Sequence, residues 1–396
     1  MKVLRLLKSS LSLVVLGLAS ISSGLAATDT PLKVGVIASY SGPYADYGRQ
    51  LDAGMAIYLE QNGGKLGGRP VEIIRKDTGG AAPDKARRFA QELISRDRID
   101  ILTGLDFSPN VYALAPLVNR ARLPTLVMNA ASSAITESTP YIARLSFTVP
   151  QVSAPMAEWL ADQGVKQVYT VVADYASGID AEEAFNQAFT AKGGQVVGSV
   201  RTPMNNPDFA AYVQRIKDQK PEAVFIFFPS GVMPAAFLRA WQERGMTEAG
   251  IKLYATGEAT DDSYLQATGA VANGLITSHH YSYAHESPKN QQFIDAYESK
   301  YGKDQRLNYF AITAYDTFAA LDQALTATAG DASGDVLMEQ LKGLQLESPR
   351  GPIEIDARTR DIIQNVYIRE VQEREGQLYS IEFDQFEAVK DPTKDR

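Results

Sequence analysis

Short apolar runs recur along this chain, each bounded by turn residues and each followed by a stretch with helical spacing. Lys33-Val-Gly-Val-Ile-Ala38 is the first, apolar at successive positions and rich in β-branched residues, which predicts a strand buried on both faces. The loop Ser39 to Tyr47 follows, and then Leu51, Met55, Tyr58 and Leu59 fall on one helical stripe. Gly63-Gly64 and Gly67-Gly68 open a hairpin-like turn before the strand Val71-Glu-Ile-Ile-Arg75. A helix from Pro83 to Arg96 buries Ala86, Phe89, Leu93 and Ile94, and Asp100-Ile-Leu-Thr-Gly104 is the next strand. The loop Leu105 to Asn110, a helix to Arg120, the strand Pro124 to Met128 and the loop Asn129 to Ser133 complete the run. Strand and helix alternate, which predicts a parallel sheet covered on both faces.

After a strand at Ile142 to Phe147, Val149-Pro150 breaks the pattern and the alternation restarts. A helix from Val152 to Gly164 leads to strands Gln167 to Val172, Gln195 to Val200, Ala223 to Phe228 and Lys252 to Ala255, with helices between them. The same unit therefore occurs twice. Two amphipathic helices, Pro288 to Tyr301 and Phe310 to Thr328, lack strands of their own and are expected to complete the first unit. Ser348-Pro-Arg-Gly-Pro352 reads as a third crossing between units, ahead of final strands near Val366 to Val371 and Leu378 to Phe383. The charged residues after Val389 are expected to fray. The fold class is thus α/β, with two Rossmann-like lobes on parallel central sheets joined by a three-segment hinge. The lobe boundaries are 31–147 plus 281–351 for the first and 148–280 plus 352–390 for the second.

The N-terminus changes the picture of where such a protein works. Lys2, Arg5 and Lys8 precede an apolar run from Leu11 to Ile21 and the small residues to Ala27, the order of a secretory signal ending near Ala26. The run is too short to span a bilayer. Loss of residues 1–26 removes three positive charges and no acid, taking the net charge from −8 to −11. An acidic body argues against nucleic acid as a partner, and the absence of cysteine excludes a disulfide framework and thiolate chemistry. These features suit a periplasmic monomer.

Ligands of such sheets bind beyond the carboxyl ends of the strands. Ser108 precedes Pro109 and fits a helix start at which serine caps the first-turn amides. Free N–H groups there, with the small loop Ala130-Ala131-Ser132-Ser133, make a receptor for a carboxylate. Tyr44, Tyr47, Phe107, Tyr175, Phe228 and Tyr281 stand at strand ends as candidate aromatic walls. Ser177, Ser230 and Glu258 stand at strand ends of the second lobe, Glu258 as an acceptor for an ammonium or a phenolic hydroxyl. The three histidines, His279, His280 and His285, lack the further ligands a zinc site needs, so no metal is expected. No GK[ST] follows the glycine pairs and no GxSxG is present, so neither a phosphate loop nor a serine triad is predicted. No cofactor and no catalysis are expected.

Val34-Gly-Val-Ile with Ser41-Gly-Pro, Gly64-Lys-Leu-Gly-Gly-Arg-Pro-Val, Asn129-Ala-Ala-Ser, Val172-Ala-Asp-Tyr with Gly178, and Arg350-Gly-Pro together resemble the type I periplasmic solute-binding proteins of ABC transporters, in the branched-chain amino-acid branch. The resemblance implies two lobes closing over a small solute and handing it to an inner-membrane permease, or serving a sensor with the same fold. It implies that Ser108 and the 130–132 loop take a ligand carboxylate and that Glu258 takes an ammonium. Ser177 and Ser230 replace the tyrosines usual in that branch, which widens the pocket. Pro140-Tyr-Ile-Ala-Arg144 with Ser146-Phe-Thr, Asn206-Pro-Asp-Phe-Ala and Glu347-Ser-Pro-Arg-Gly-Pro-Ile are similar to a subgroup that binds aromatic carboxylates. An aromatic acid, benzoate-like or phenylpropanoid, is therefore the expected ligand, with a branched-chain or related amino acid as the alternative.

Overall fold

The computed structural model describes residues 30–205 and 207–394. The expected leader, residues 1–26, lies outside them. The first sheet contains β1 (Leu32–Ala38), β2 (Lys65–Leu66), β3 (Arg69–Asp77), β4 (Ile101–Gly104), β5 (Thr125–Val127) and β6 (Ile142–Arg144), in the spatial order β2-β3-β1-β4-β5-β6. Only the β2/β3 hairpin is antiparallel. Helices α1 (Ala45–Gln61), α2 (Pro83–Glu92) and α3 (Ser108–Ala121) connect these strands. β1 lies between β3 and β4, so the strand order reverses at its carboxyl end and opens a crevice there.

The second sheet carries β7 (Gln167–Ala173), β8 (Gln195–Thr202), β9 (Ala223–Phe227), β10 (Lys252–Thr256) and β11 (Ile276–His279), all parallel. It is entered through α4 (Val149–Asp162) and interleaved with α5 (Ala176–Ala191), α6 (Phe209–Gln219), α7 (Val232–Glu243) and α8 (Asp262–Thr268). β7 lies between β8 and β9, which makes the second reversal point. The turn from β7 to α5 is tight enough that a Cβ on Gly178 would fall 1.8 Å from the Ala173 carbonyl oxygen, so only glycine fits. Helices α9 (Pro288–Tyr301), α10 (Tyr309–Ala327) and α11 (Gly334–Leu341) return to the first core, where Phe293, Phe310, Phe318 and Leu321 pack in one cluster with Val34, Leu51 and Ile101.

Several local expectations shift. α4 begins at Val149, because Thr148 accepts from the Gln151 N–H and Gln151 accepts from the Thr148 N–H. Pro150 therefore sits in the first turn of a capping box and does not break the pattern. The last strands are longer than expected: β12 (Gln345–Ser348), β13 (Gly351–Ile355), β14 (Ile362–Arg374) and β15 (Gln377–Val389) form an antiparallel extension of the second sheet. Ser348-Pro-Arg-Gly-Pro352 is consequently the turn of the β12/β13 hairpin, and the chain is already in the second sheet at Gln345. Residues 390–394 dock. Lys394 Nζ donates to Asp361 at 2.6 Å and to Thr136 at 2.8 Å, and Asp391 accepts from the Ser133 hydroxyl at 2.6 Å. Their charges have buried partners, so water does not hold them out.

Candidate functional site

The two reversal points face each other across a slot of about 310 Å³. Of the expected residues, Tyr47, Phe107, Ser108, Ala131, Tyr175, Ser177, Ser230 and Glu258 line it. The backbone is bent sharply into the slot after β4: Leu105 has φ of 62°, in the left-handed region that a branched side chain avoids, and is fully buried. Leu105 is locked there by its N–H bond to Ile37 and by accepting from the Ala130 N–H, which ties the two first-lobe loops together.

Ser108 does not cap its helix. It is the first residue of α3, Phe107 holds the cap position, and no side chain bonds the first-turn amides. The Ser108 hydroxyl instead accepts from the Ser132 N–H at 3.1 Å and pairs at 2.9 Å with the hydroxyl of Ser177, in the first turn of α5. α5 also lacks a side-chain cap. Two uncapped helix N-termini, one from each sheet, therefore converge on the slot, and their positive ends repel unless an anion lies between them.

Aromatic rings form the walls. Tyr47 stacks on Phe107 with centroids 5.7 Å apart, and Tyr175 on Phe227 at 6.1 Å. Polar groups complete the lining: Ser230 pairs with the Tyr309 hydroxyl at 2.9 Å, and its carbonyl accepts from the Tyr47 hydroxyl at 2.8 Å. Asp106 Oδ1, Asn129 Oδ1 and Glu258 Oε2 are buried acceptors with no hydrogen-bond partner among the described residues. Burial pushes Asp106 up to about 6 and Glu258 up to about 7, because removal from solvent disfavours the charged form. His279 Nε2 stands 3.9 Å from Glu258 Oε2, and burial holds His279 and His280 well below the usual imidazole range, so both are neutral.

The remaining expected residues lie elsewhere. Tyr44 packs edge-on against Phe107 at 4.8 Å and does not line the slot. Phe228 faces the second core, against Phe209 and Phe237, because side chains alternate across a strand and its neighbour Phe227 takes the slot side. Tyr281 is buried with its hydroxyl on Asn290. Ala130 gives its carbonyl to Arg144, Ser132 gives its hydroxyl to Asp180 at 2.6 Å, and Ser133 bonds Asp391. Sequence reasoning missed Asp106, Asn129, Phe147, Phe227, Pro229 and Tyr309. Asp106 and Asn129 sit within the two loops it singled out; Tyr309 reaches the slot only through the return of α10, for which no local signal exists.

Residues 31–377 match the sequence profile of a family described as periplasmic binding protein. A solved solute-binding protein of an ABC transporter from Rhodopseudomonas palustris, in complex with 3,4-dihydroxybenzoic acid, is 44% identical, with 92% of this chain and 99% of that chain covered at a TM-score of 0.88. A second R. palustris solute-binding protein, in complex with 4-hydroxybenzoate, is 37% identical, with 92% and 100% covered at a TM-score of 0.90. A Leu/Ile/Val-binding protein homolog from Brucella melitensis is 38% identical over 383 residues, 96% of this chain and 98% of that protein.

Proposed function

The chain belongs to the periplasmic binding protein family, and we propose that it captures a hydroxylated aromatic acid between its lobes for an ABC permease. It is a solute-binding protein of that transporter class. The observation that carries the ligand reading is the Ser108–Ser177 contact, which brings two uncapped helix N-termini onto one slot. A ligand carboxylate there relieves the repulsion of two positive helix ends and accepts from the N–H groups left free there, such as that of Ser108. The ring then lies flat between Tyr47, Phe107 and Tyr175, and a ring hydroxyl donates to Glu258 Oε2, giving that buried acceptor a partner. Solved relatives holding 3,4-dihydroxybenzoic acid and 4-hydroxybenzoate support this reading. We place the protein in the periplasm, exported by its N-terminal signal, acting as a monomer without catalysis.

The second reading is an amino acid, favoured by the acid pair Asp106 and Glu258, which can face an ammonium, and by the Leu/Ile/Val name of the B. melitensis relative. A thermal-shift panel of benzoate, 4-hydroxybenzoate, 3,4-dihydroxybenzoate, leucine and valine separates the two, since a ligand of the folded form adds RT ln(1 + [L]/Kd) of stability. Shifts for the aromatic acids and none for leucine are expected. A shift for leucine alone gives the site to amino acids.

A further inference from the structure

We propose that Arg144 is a positioning residue of the anion-binding loop, acting by its grip on the loop's carbonyl oxygens. Its side chain is fully buried at the end of β6. Nη1 donates to the carbonyls of Ala130 at 3.0 Å and Ser132 at 2.7 Å, and Nη2 to that of Ser133 at 3.1 Å. Nε and Nη2 donate to Asp361 Oδ1 at 2.8 and 2.7 Å. A guanidinium has five N–H donors, and these bonds engage them all, so Arg144 has none left for a ligand. Asp361 is itself held by Lys394 at 2.6 Å and by Thr136 at 3.1 Å.

The consequence lies on the other side of the loop. A trans peptide is planar, and its C=O and the following N–H point in opposite directions. With the carbonyls of Ala130 and Ser132 turned toward Arg144, the N–H groups of Ala131 and Ser133 are turned away from it. The second direction is visible in the structure: the Ser133 N–H meets Asp180 of the second lobe at 2.8 Å. Ala131 lines the slot, so its N–H is delivered to the ligand side. The cation behind each peptide also draws electron density from the carbonyl and strengthens the amide as a donor. Arg144 thus makes a loop without charged side chains selective for an anion. This rests on the carboxylate reading above.

Titration of wild-type protein, Arg144→Met and Arg144→Lys with 4-hydroxybenzoate and with its neutral isostere 4-hydroxybenzamide tests the assignment. In Arg144→Met the preference for the acid over the amide is expected to fall about tenfold while affinity for the amide changes by less than about threefold. Arg144→Lys, which keeps charge but not the fork, falls between. A folded Met variant that loses affinity for both compounds in equal proportion overturns the proposal, because that is what a merely structural arginine does. Should the Met variant not fold, the Lys variant and wild-type amide exchange decide: 4-hydroxybenzoate is expected to slow exchange at Ala131, and unchanged exchange overturns the proposal. Wild-type protein that binds neither compound removes the carboxylate reading and this inference with it.

Discussion

Glu258 shows how one buried group can separate ligand classes. Its carboxyl titrates near 7 because burial opposes the charge. An ammonium needs Glu258 ionised, whereas a ring hydroxyl can donate to the carboxylate or accept from the carboxylic acid. Affinity for an amino acid would therefore fall about tenfold per pH unit below 7, and affinity for 4-hydroxybenzoate should stay nearly flat from pH 8 to 6. Titration across that range is the check, and a steep fall for the aromatic acid removes the hydroxyl role. The same burial acts on stability. Burial raises Asp106 and Asp261 to about 6 and Glu258 and Asp262 to about 7. Between their unfolded and folded pKa values the folded state binds more protons, so the stability these acids contribute at low pH is lost as pH rises through 6 to 7. His279 and His280 act oppositely, since their depressed values cost stability only below about 6.5. From pH 6.5 to 8 the acids act alone, and the melting temperature of the ligand-free protein should fall. Glu258→Gln removes at most about 3 kcal/mol of pH dependence over the whole range from about pH 4.5 to 8, and should raise the melting temperature at pH 8. Glu258 was readable in the sequence because it closes a strand; Phe227 was not, because which of two adjacent phenylalanines faces the slot is a matter of strand parity.

The helix ends are where sequence reading went furthest and then stopped. Ser108-Pro109 correctly marks a helix start, yet a capping serine and a serine at the first helical position look alike in sequence. Only the partner helix, with Ser177 opposite, shows that the hydroxyl faces the slot. If that geometry is the anion site, Ser177→Asp places a tethered carboxylate between the two N-termini. Such a charge is worth about 0.3–2 kcal/mol at a helix start, so the ligand-free variant should melt at or above the wild-type temperature. It should also bind 4-hydroxybenzoate at least about tenfold more weakly, one unit of pKa-scale energy being the equivalent loss. Wild-type affinity in that variant would place the carboxylate elsewhere. At the chain's end a different physics was hidden. The run after Val389 reads as solvated charge, but Lys394 and Asp361 are both buried and 2.6 Å apart. Lys394→Ala leaves Asp361 with Arg144 and Thr136, and a loss of about 1–3 kcal/mol in urea unfolding is expected. No loss would mean the tail docks without consequence.

Doubled strand and helix periodicity made the two-lobe architecture readable, because each buried parallel strand is a local signal. How the lobes meet is not local. Tyr47 reaches Ser230, Ser108 reaches Ser177, Ser263 reaches Asp46, and Asp180 accepts from the hydroxyl of Ser132 and the N–H of Ser133. These bonds exist only while the lobes are together, so they add to the closed state whichever ligand is present. A ligand's measured affinity is its intrinsic affinity scaled by the share of protein able to close on it. Asp180 is not part of the slot lining, and removing it takes two bonds to a charged acceptor from the closed form alone. Asp180→Ala should therefore weaken benzoate, 4-hydroxybenzoate and 3,4-dihydroxybenzoate by the same factor, on the order of tenfold. Glu258→Gln, by contrast, should weaken only the two that carry a hydroxyl. Small-angle scattering should also show the Asp180→Ala protein needing more ligand to reach the same compact dimensions. A loss in Asp180→Ala that grows with the number of ring hydroxyls would mean that this residue contacts the ligand, and the division between a gripping slot and a closing rim would not hold.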